Sequence, residues 1–283
     1  MITRKDLYIR DPYVFFHCGK FYLYGTTDEQ AWGGKGDGFK VYESEDLELF
    51  EPHIAFKRDD SFWGYEQFWA PEVVEINDIF YMIAACSSGN GVRRIQIFES
   101  NSPVGPFLPK PHPLFEKVFS HLDGTYFEWK DKRYIIFSHE WTECYDGEIM
   151  AVEVNDRLEA IGEPVILFKA SEAPWVVLKE KGFVTDGPFL LKHDGEIVMI
   201  WSSFSKTGYS IGQAKAKDIF GPYQHAKNPL IENDGGHGMV FERDGRLYLA
   251  FHRPNFPHLQ ERPCFREISF SGGFLVAKEE QHG

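Results

Sequence analysis

Three aspartates stand at the heads of similar apolar phrases: Asp11 in DPYVFFHCGKFYLYGTT, Asp123 in DGTYFEWKDKRYIIFSH and Asp186 in DGPFLLKHDGEIVMIWSS. Two further copies, APEVVEINDIFYMIAACSS and GHGMVFERDGRLYLAFH, bring Ala70 and His237 to the same place. Counting back 11 residues from Tyr22, Tyr81, Tyr134 and Tyr248 lands on Asp11, Ala70, Asp123 and His237; Asp186 lies 12 before Val198, as a turn one residue longer would give. A single aspartate before a strand is ordinarily turn chemistry, its carboxylate accepting hydrogen bonds from nearby backbone N–H groups. Three at matching places in a repeat differ, because a fold that gathers them raises their pKa values at a cost in stability, and such strain collects at working sites. Carboxyl groups around one cavity suit cleavage of a glycosidic bond. One carboxylic acid protonates the leaving oxygen while a carboxylate activates water or attacks carbon. A third acid can hold the donor's pKa up and orient it.

The elements that must position these acids are legible from the same phrases. Each reads as an apolar strand, a turn and a second apolar strand. A weaker refrain follows each: GFKVYESEDLELFEP, RRIQIFESNSPVGPFLP, EIMAVEVNDRLEAIGEP, YSIGQAKAKDIFGPYQH and CFREISFSGGFLVAK. Their alternation of apolar and polar residues marks half-buried strands. Units of four short strands at intervals of 50 to 64 residues match propeller blades. The expected fold is therefore all-β, a five-bladed β-propeller of four-stranded antiparallel blades around a central channel, with residues 1–283 forming one catalytic domain. Ring closure then carries one register of the innermost strands to the axis. Trp69, Trp141 and Trp201 lie beside the anchors and offer flat faces for sugar rings, as does Trp175 before the fourth blade. Burial in the blade cores is the competing role for each. Pocket shape is expected to come from loops such as residues 27–38 and 139–147.

Composition removes several alternatives. A formal charge of −13 argues against nucleic acid as a partner, since that affinity depends on Lys and Arg displacing counterions from phosphates. The four cysteines, Cys18, Cys86, Cys144 and Cys264, are too few and too scattered for a disulfide framework, and no zinc-ligand spacing is apparent. MITRKDLYIRDP lacks the apolar run of a signal peptide, and no later stretch approaches a membrane span, so the expected location is cytoplasmic with no membrane partner. GYSIG at Gly208–Gly212 spells a nucleophile elbow but sits in an alternating strand pattern with no helix behind it. GGKGDG at Gly33–Gly38 lacks the lysine and hydroxyl of a phosphate loop and reads as a flexible loop between the first two strands of blade 1. Oligomeric state is left open.

The ordered phrases RDPYV from Arg10, FWAPEV from Phe68, LDGTYF from Leu122, TDGPFLL from Thr185 and GGHGMVF from Gly235 resemble those of glycoside hydrolase family 43, over nearly the whole chain. That family holds five-bladed arabinanases, arabinofuranosidases and β-xylosidases. The resemblance implies an inverting hydrolase of plant-derived oligosaccharides, of α-L-arabinofuranosidase or β-xylosidase type. By it, Asp11 is the general base and Asp123 the acid that tunes and orients the proton donor. It requires no cofactor, and it places His237 near the axis, where family members often hold a hydrated calcium ion or a water network. His252 and Arg253 either face sugar hydroxyls or pair with neighbouring acids. The chain departs from the family at the donor. Asp186-Gly187-Pro188 stands where Glu-Gly-Pro or Glu-Ala-Pro is usual, and Glu172-Ala173-Pro174 has the family spelling 14 residues earlier. Register favours Asp186; side-chain reach favours Glu172. The absence of a leader points to short substrates and exo action. The departure at the donor also leaves a non-catalytic sugar-binding propeller as the alternative, and a retaining, fructan-cleaving type of propeller as a third reading.

Overall fold

The computed structural model describes residues 1–278. Five antiparallel sheets follow one another along the chain. Blade 1 runs outward from Arg10–His17 through Lys20–Thr26, Gly38–Ser44 and Leu49–Lys57, with Ile2–Thr3 added at its outer edge. The innermost strands of blades 2 to 5 are Glu66–Ile76, His121–Trp129, Asp186–His193 and Gly236–Arg243, each the first strand of a contiguous four-stranded sheet. This is the expected five-bladed propeller. GGKGDG joins the second and third strands of blade 1, not the first and second, because Lys20–Thr26 pairs directly with Arg10–His17.

All five inner hairpins turn over two residues: Cys18-Gly19, Asn77-Asp78, Lys130-Asp131, Asp194-Gly195 and Asp244-Gly245. Both residues of each turn have positive φ, as turns that follow the right-handed strand twist require. The fourth turn is thus no longer than the others, and the offset of Asp186 has another cause. Every innermost strand carries a bulge near its start, and the residue there has left-handed φ: Asp11 at 51°, Ala70 at 44°, Asp123 at 55°, Gly187 at 49° and His237 at 48°. Asp186 is the paired residue before the bulge, opposite Ser202, the place that Arg10 takes opposite Thr26 in blade 1. A bulge bends its strand and re-aims a side chain. Here it turns five positions toward one mouth of the channel.

The cores lie between blades. Tyr24, Phe39 and Phe56 pack with Phe68, Met82 and Phe98 between blades 1 and 2. Trp201, fully buried, packs with Phe168 and Trp175 between blades 3 and 4. Trp201→Ala is expected to cost about 3–5 kcal/mol through the cavity it leaves, read as a lower urea midpoint, with the folded fraction keeping its KM. A substrate-contact role would instead raise KM at unchanged stability. The ring shuts without strand exchange. Arg10 reaches into the loop after the second strand of blade 5, where Nη1 pairs with buried Glu261 at 2.7 Å and Nη2 donates to Asn255 Oδ1 at 3.0 Å. Met239, Phe241 and Ala250 pack against Ile9, Val14 and Leu23 across the same seam.

Candidate active site

A cavity of about 270 Å³ opens at the mouth that the bulges face, and Asp11, Asp123, Asp186 and His237 all line it. Asp11 is the most heavily partnered. Thr26 Oγ1 donates to its Oδ2 at 2.7 Å, and the Ala70 N–H donates to Thr26 Oγ1 at 2.8 Å, which aligns that hydroxyl. The Asp11 N–H donates to His252 Nδ1 at 3.1 Å, so His252 is the tautomer with its proton on Nε2. Burial, with the Arg10 guanidinium next in weight, pushes His252 down to about 3 and keeps it neutral. Burial alone would raise Asp11, but His237, Arg10 and the Thr26 hydrogen bond together hold its carboxyl below the usual aspartate range.

His237 Nδ1 stands 3.2 Å from Asp11 Oδ1 and 3.9 Å from Asp123 Oδ2, so one imidazole nitrogen faces both carboxyl groups. Its ring lies against blade 4: a Cβ on Gly187 would meet His237 Cδ2 at 2.7 Å, which explains the glycine at that bulge. The Gly187 N–H donates to Asp123 Oδ2 at 2.9 Å. Asp123 is nevertheless pushed up, first by burial and then by the Asp11 charge. Asp186 accepts a hydrogen bond from Tyr209 Oη at 2.9 Å. Burial, followed by Asp123, pushes Asp186 up to about 8. The three aspartates of the cavity therefore divide into one poised to be ionised, Asp11, and a coupled pair, Asp123 and Asp186, poised to hold a proton between them.

The walls are aromatic and charged. Trp69 donates from Nε1 to Ala31 O at 2.6 Å and meets Trp32 edge-on at 5.6 Å. The Arg93 guanidinium lies 4.5 Å over the Trp69 ring and pairs with Glu140. Trp141, at the start of the helical turn Trp141–Cys144, completes that side.

Of the residues singled out from sequence, Asp11, Asp123, Asp186, His237, Trp69 and Trp141 meet in this cavity. Glu172 does not. It is exposed in the turn Ala170–Glu172 at the end of blade 3, where its carboxylate accepts the Lys169 N–H at 2.8 Å. Trp175 and Trp201 belong to the core between blades 3 and 4. His252 is fully buried behind Asp11 and does not line the cavity, and Arg253 donates to Glu232 O at 2.6 Å outside the cavity. Ser210 of GYSIG is buried and bonded to Ser205 Oγ at 2.8 Å, which removes it as a nucleophile. Asp11, Asp123 and His237 are not among the side chains whose ligand atoms converge within 4.8 Å. They offer no direct cage of the six to eight oxygens that calcium takes.

Arg10, Thr26, Trp32, Arg93, Glu140 and Tyr209 also line the cavity without having been singled out. A topological signal points to several of them. In an antiparallel blade the start of the first strand, the end of the second and the start of the third share one edge. Thr26 ends a second strand, while Arg93 and Tyr209 begin third strands. Glu72, another buried carboxyl, lies two residues past the Ala70 bulge, and burial holds its pKa well up.

Fold and site together define a propeller with an acid cluster at the mouth of its channel and an aromatic cleft beside it. The sequence profile of Glycosyl hydrolases family 43 matches residues 6–273, and the chain belongs to that family. An endo-arabinase from Bacteroides thetaiotaomicron superposes with a TM-score of 0.85 at 34% identity, covering 96% of this chain and 98% of that one. An endo-1,4-beta-xylanase from the same organism superposes at 0.82 with 28% identity, over 98% and 96%. A xylosidase/arabinosidase from Bacteroides ovatus is 28% identical over 170 residues, which are 54% of this chain and 49% of that protein. One from Humicola insolens is 26% identical over 156 residues, or 50% and 47%. The matched region thus spans about half the length of these curated relatives.

Proposed function

We propose that the protein hydrolyses arabinose- or xylose-containing glycans with inversion, most readily α-L-arabinofuranosides or β-xylosides of short plant oligosaccharides. The observation that carries this reading is the division of proton affinity within one cavity: Asp11 held below the ordinary aspartate range and Asp186 pushed up to about 8. Asp11, ionised, accepts a proton from the attacking water. Asp186, protonated and oriented by Tyr209, donates its proton to the departing glycosidic oxygen. Asp123 shares a proton with Asp186 and, when ionised, raises it through its charge. The aromatic wall of Trp69 and Trp32 supplies sugar-ring faces. No step passes through a metal ion; calcium near His237 would be held there through water.

The relatives named above include endo-acting enzymes and xylosidase/arabinosidases. A cavity of about 270 Å³ falls at the lower edge of small-ligand pockets and favours exo action on short chains. Such substrates also suit a cytoplasmic location, which we propose for the protein. Aryl arabinofuranosides and xylosides, followed by NMR of the anomer first formed and by chain-length analysis of oligosaccharide products, test the reading. Binding without turnover of any of them would defeat it.

The pH dependence carries a specific signature. kcat/KM should rise below the ordinary aspartate pKa of about 3.9 as Asp11 ionises. It should fall near 8 as the acid pair loses its proton. The basic limb belongs to the coupled pair. Asp123→Asn removes the charge that raises Asp186, so the basic limb should move to lower pH; an unmoved limb would refute the tuning role.

A further inference from the structure

The loop of residues 140–147 has two faces. One carries Glu140 and Trp141 into the substrate cavity. The other carries Glu143 and Cys144 toward the ends of the strands that the loop joins, where His139 and Glu148 stand opposite each other as a cross-strand pair. His139 Nδ1 lies 2.8 Å from Glu148 Oε2 and His139 Nε2 lies 3.9 Å from Glu143 Oε2. Nε2 is buried and has no hydrogen-bond partner. Ligand atoms of His139, Cys144 and Glu148 fall within 4.8 Å of one another. A separate cavity of about 710 Å³, bordered by His139, Glu143, Glu148 and Phe119, gives a small ion access to the cluster.

We propose that His139, Cys144 and Glu148 bind a zinc ion on the back of the loop that walls the substrate cavity. A nitrogen, a sulfur and an oxygen donor suit zinc, whereas calcium and magnesium take oxygen ligands. Zinc–ligand distances of about 2.0–2.3 Å set tetrahedral donors about 3.3–3.7 Å apart, so the three donors, now within 4.8 Å of one another, must re-space by up to about an ångström. Binding expels the thiol proton, which now faces the Glu140 and Asp146 carbonyls at 3.2 and 3.3 Å. Lys169, 3.0 Å from Glu148 Oε1, stays as a partner behind the ligand carboxylate. Bound zinc ties both ends of the loop to its middle and fixes the segment that presents Glu140 and Trp141.

The full chain, stripped with chelator and titrated with cobalt(II) as a spectroscopic stand-in, tests this. One equivalent should produce a thiolate-to-cobalt charge-transfer band that zinc abolishes. Cys144→Ser should lose the band, and Cys18→Ser should keep it. In the unmodified chain zinc should protect Cys144 from alkylation, mapped by mass spectrometry, and should raise the melting temperature; Cys144→Ser should show no such rise. Absence of the band in the unmodified chain, or alkylation of Cys144 at the same rate with and without zinc, overturns the proposal even where a variant fails to fold.

Discussion

Asp11→Asn is expected to lower kcat by roughly 10²–10⁴-fold, the range that a positioned acid or base contributes, with the fold intact. The substitution preserves shape and removes the charge. Thr26 Oγ1 can still donate to the side-chain oxygen, and the backbone bond from Asp11 to His252 is untouched. Circular dichroism and melting temperature should therefore stay near those of the parent while turnover collapses on every substrate, aryl glycosides included. That last point is diagnostic, because the base serves the water and a better leaving group cannot replace it. A sugar-binding propeller without catalysis would lose no turnover at this position, having none.

Asp186→Ala should separate the acid from the base. Oligosaccharides, whose leaving alkoxide needs a proton, should lose roughly 10²–10⁴-fold in kcat/KM. Aryl glycosides with acidic phenols should lose far less, since the phenolate departs unaided. An equal loss on both substrate types would remove Asp186 from the donor role. The same residue has a stability signature of definite sign. A buried carboxyl whose folded pKa is raised binds protons that the unfolded chain has released, so its contribution is complete below the unfolded value of about 3.9. It drains away as pH rises through about 8. Asp186→Asn, which cannot ionise, should melt closer to the same temperature at pH 5 and pH 8 than the parent does.

Much of the fold was legible because its code is local and repeated. Five turns of two residues fix the inner hairpins, and the phrase heads mark the inner strands. The acids were legible for the same reason. What escaped was identity within the repeat. Counting residues gave Asp186 the anchor place of the other copies behind a longer turn, whereas the turn is equal and Gly187 takes that place, at the bulge against the His237 ring. Burial also escaped: Trp201 and Trp69 both lie within apolar strands, yet one is sealed between blades and the other faces the cavity. Only the packing of a neighbouring blade decides between them. The Arg93–Glu140 pair escaped because it joins adjacent blades across loops that share no pattern. Glu172 misled through spelling alone, its triplet lying on an outer turn.

The left-handed residue recurring near the head of each inner strand separates direction from reagent. Main-chain geometry does the pointing, so Asp, Ala, Asp, Gly and His all occupy equivalent spokes with φ between 44° and 55°. A new chemistry can then be installed by exchanging one residue without redrawing the wheel. Ala70 is the spoke that carries only a methyl group, with its N–H already anchored to Thr26. It is the address at which this hub accepts another functional group.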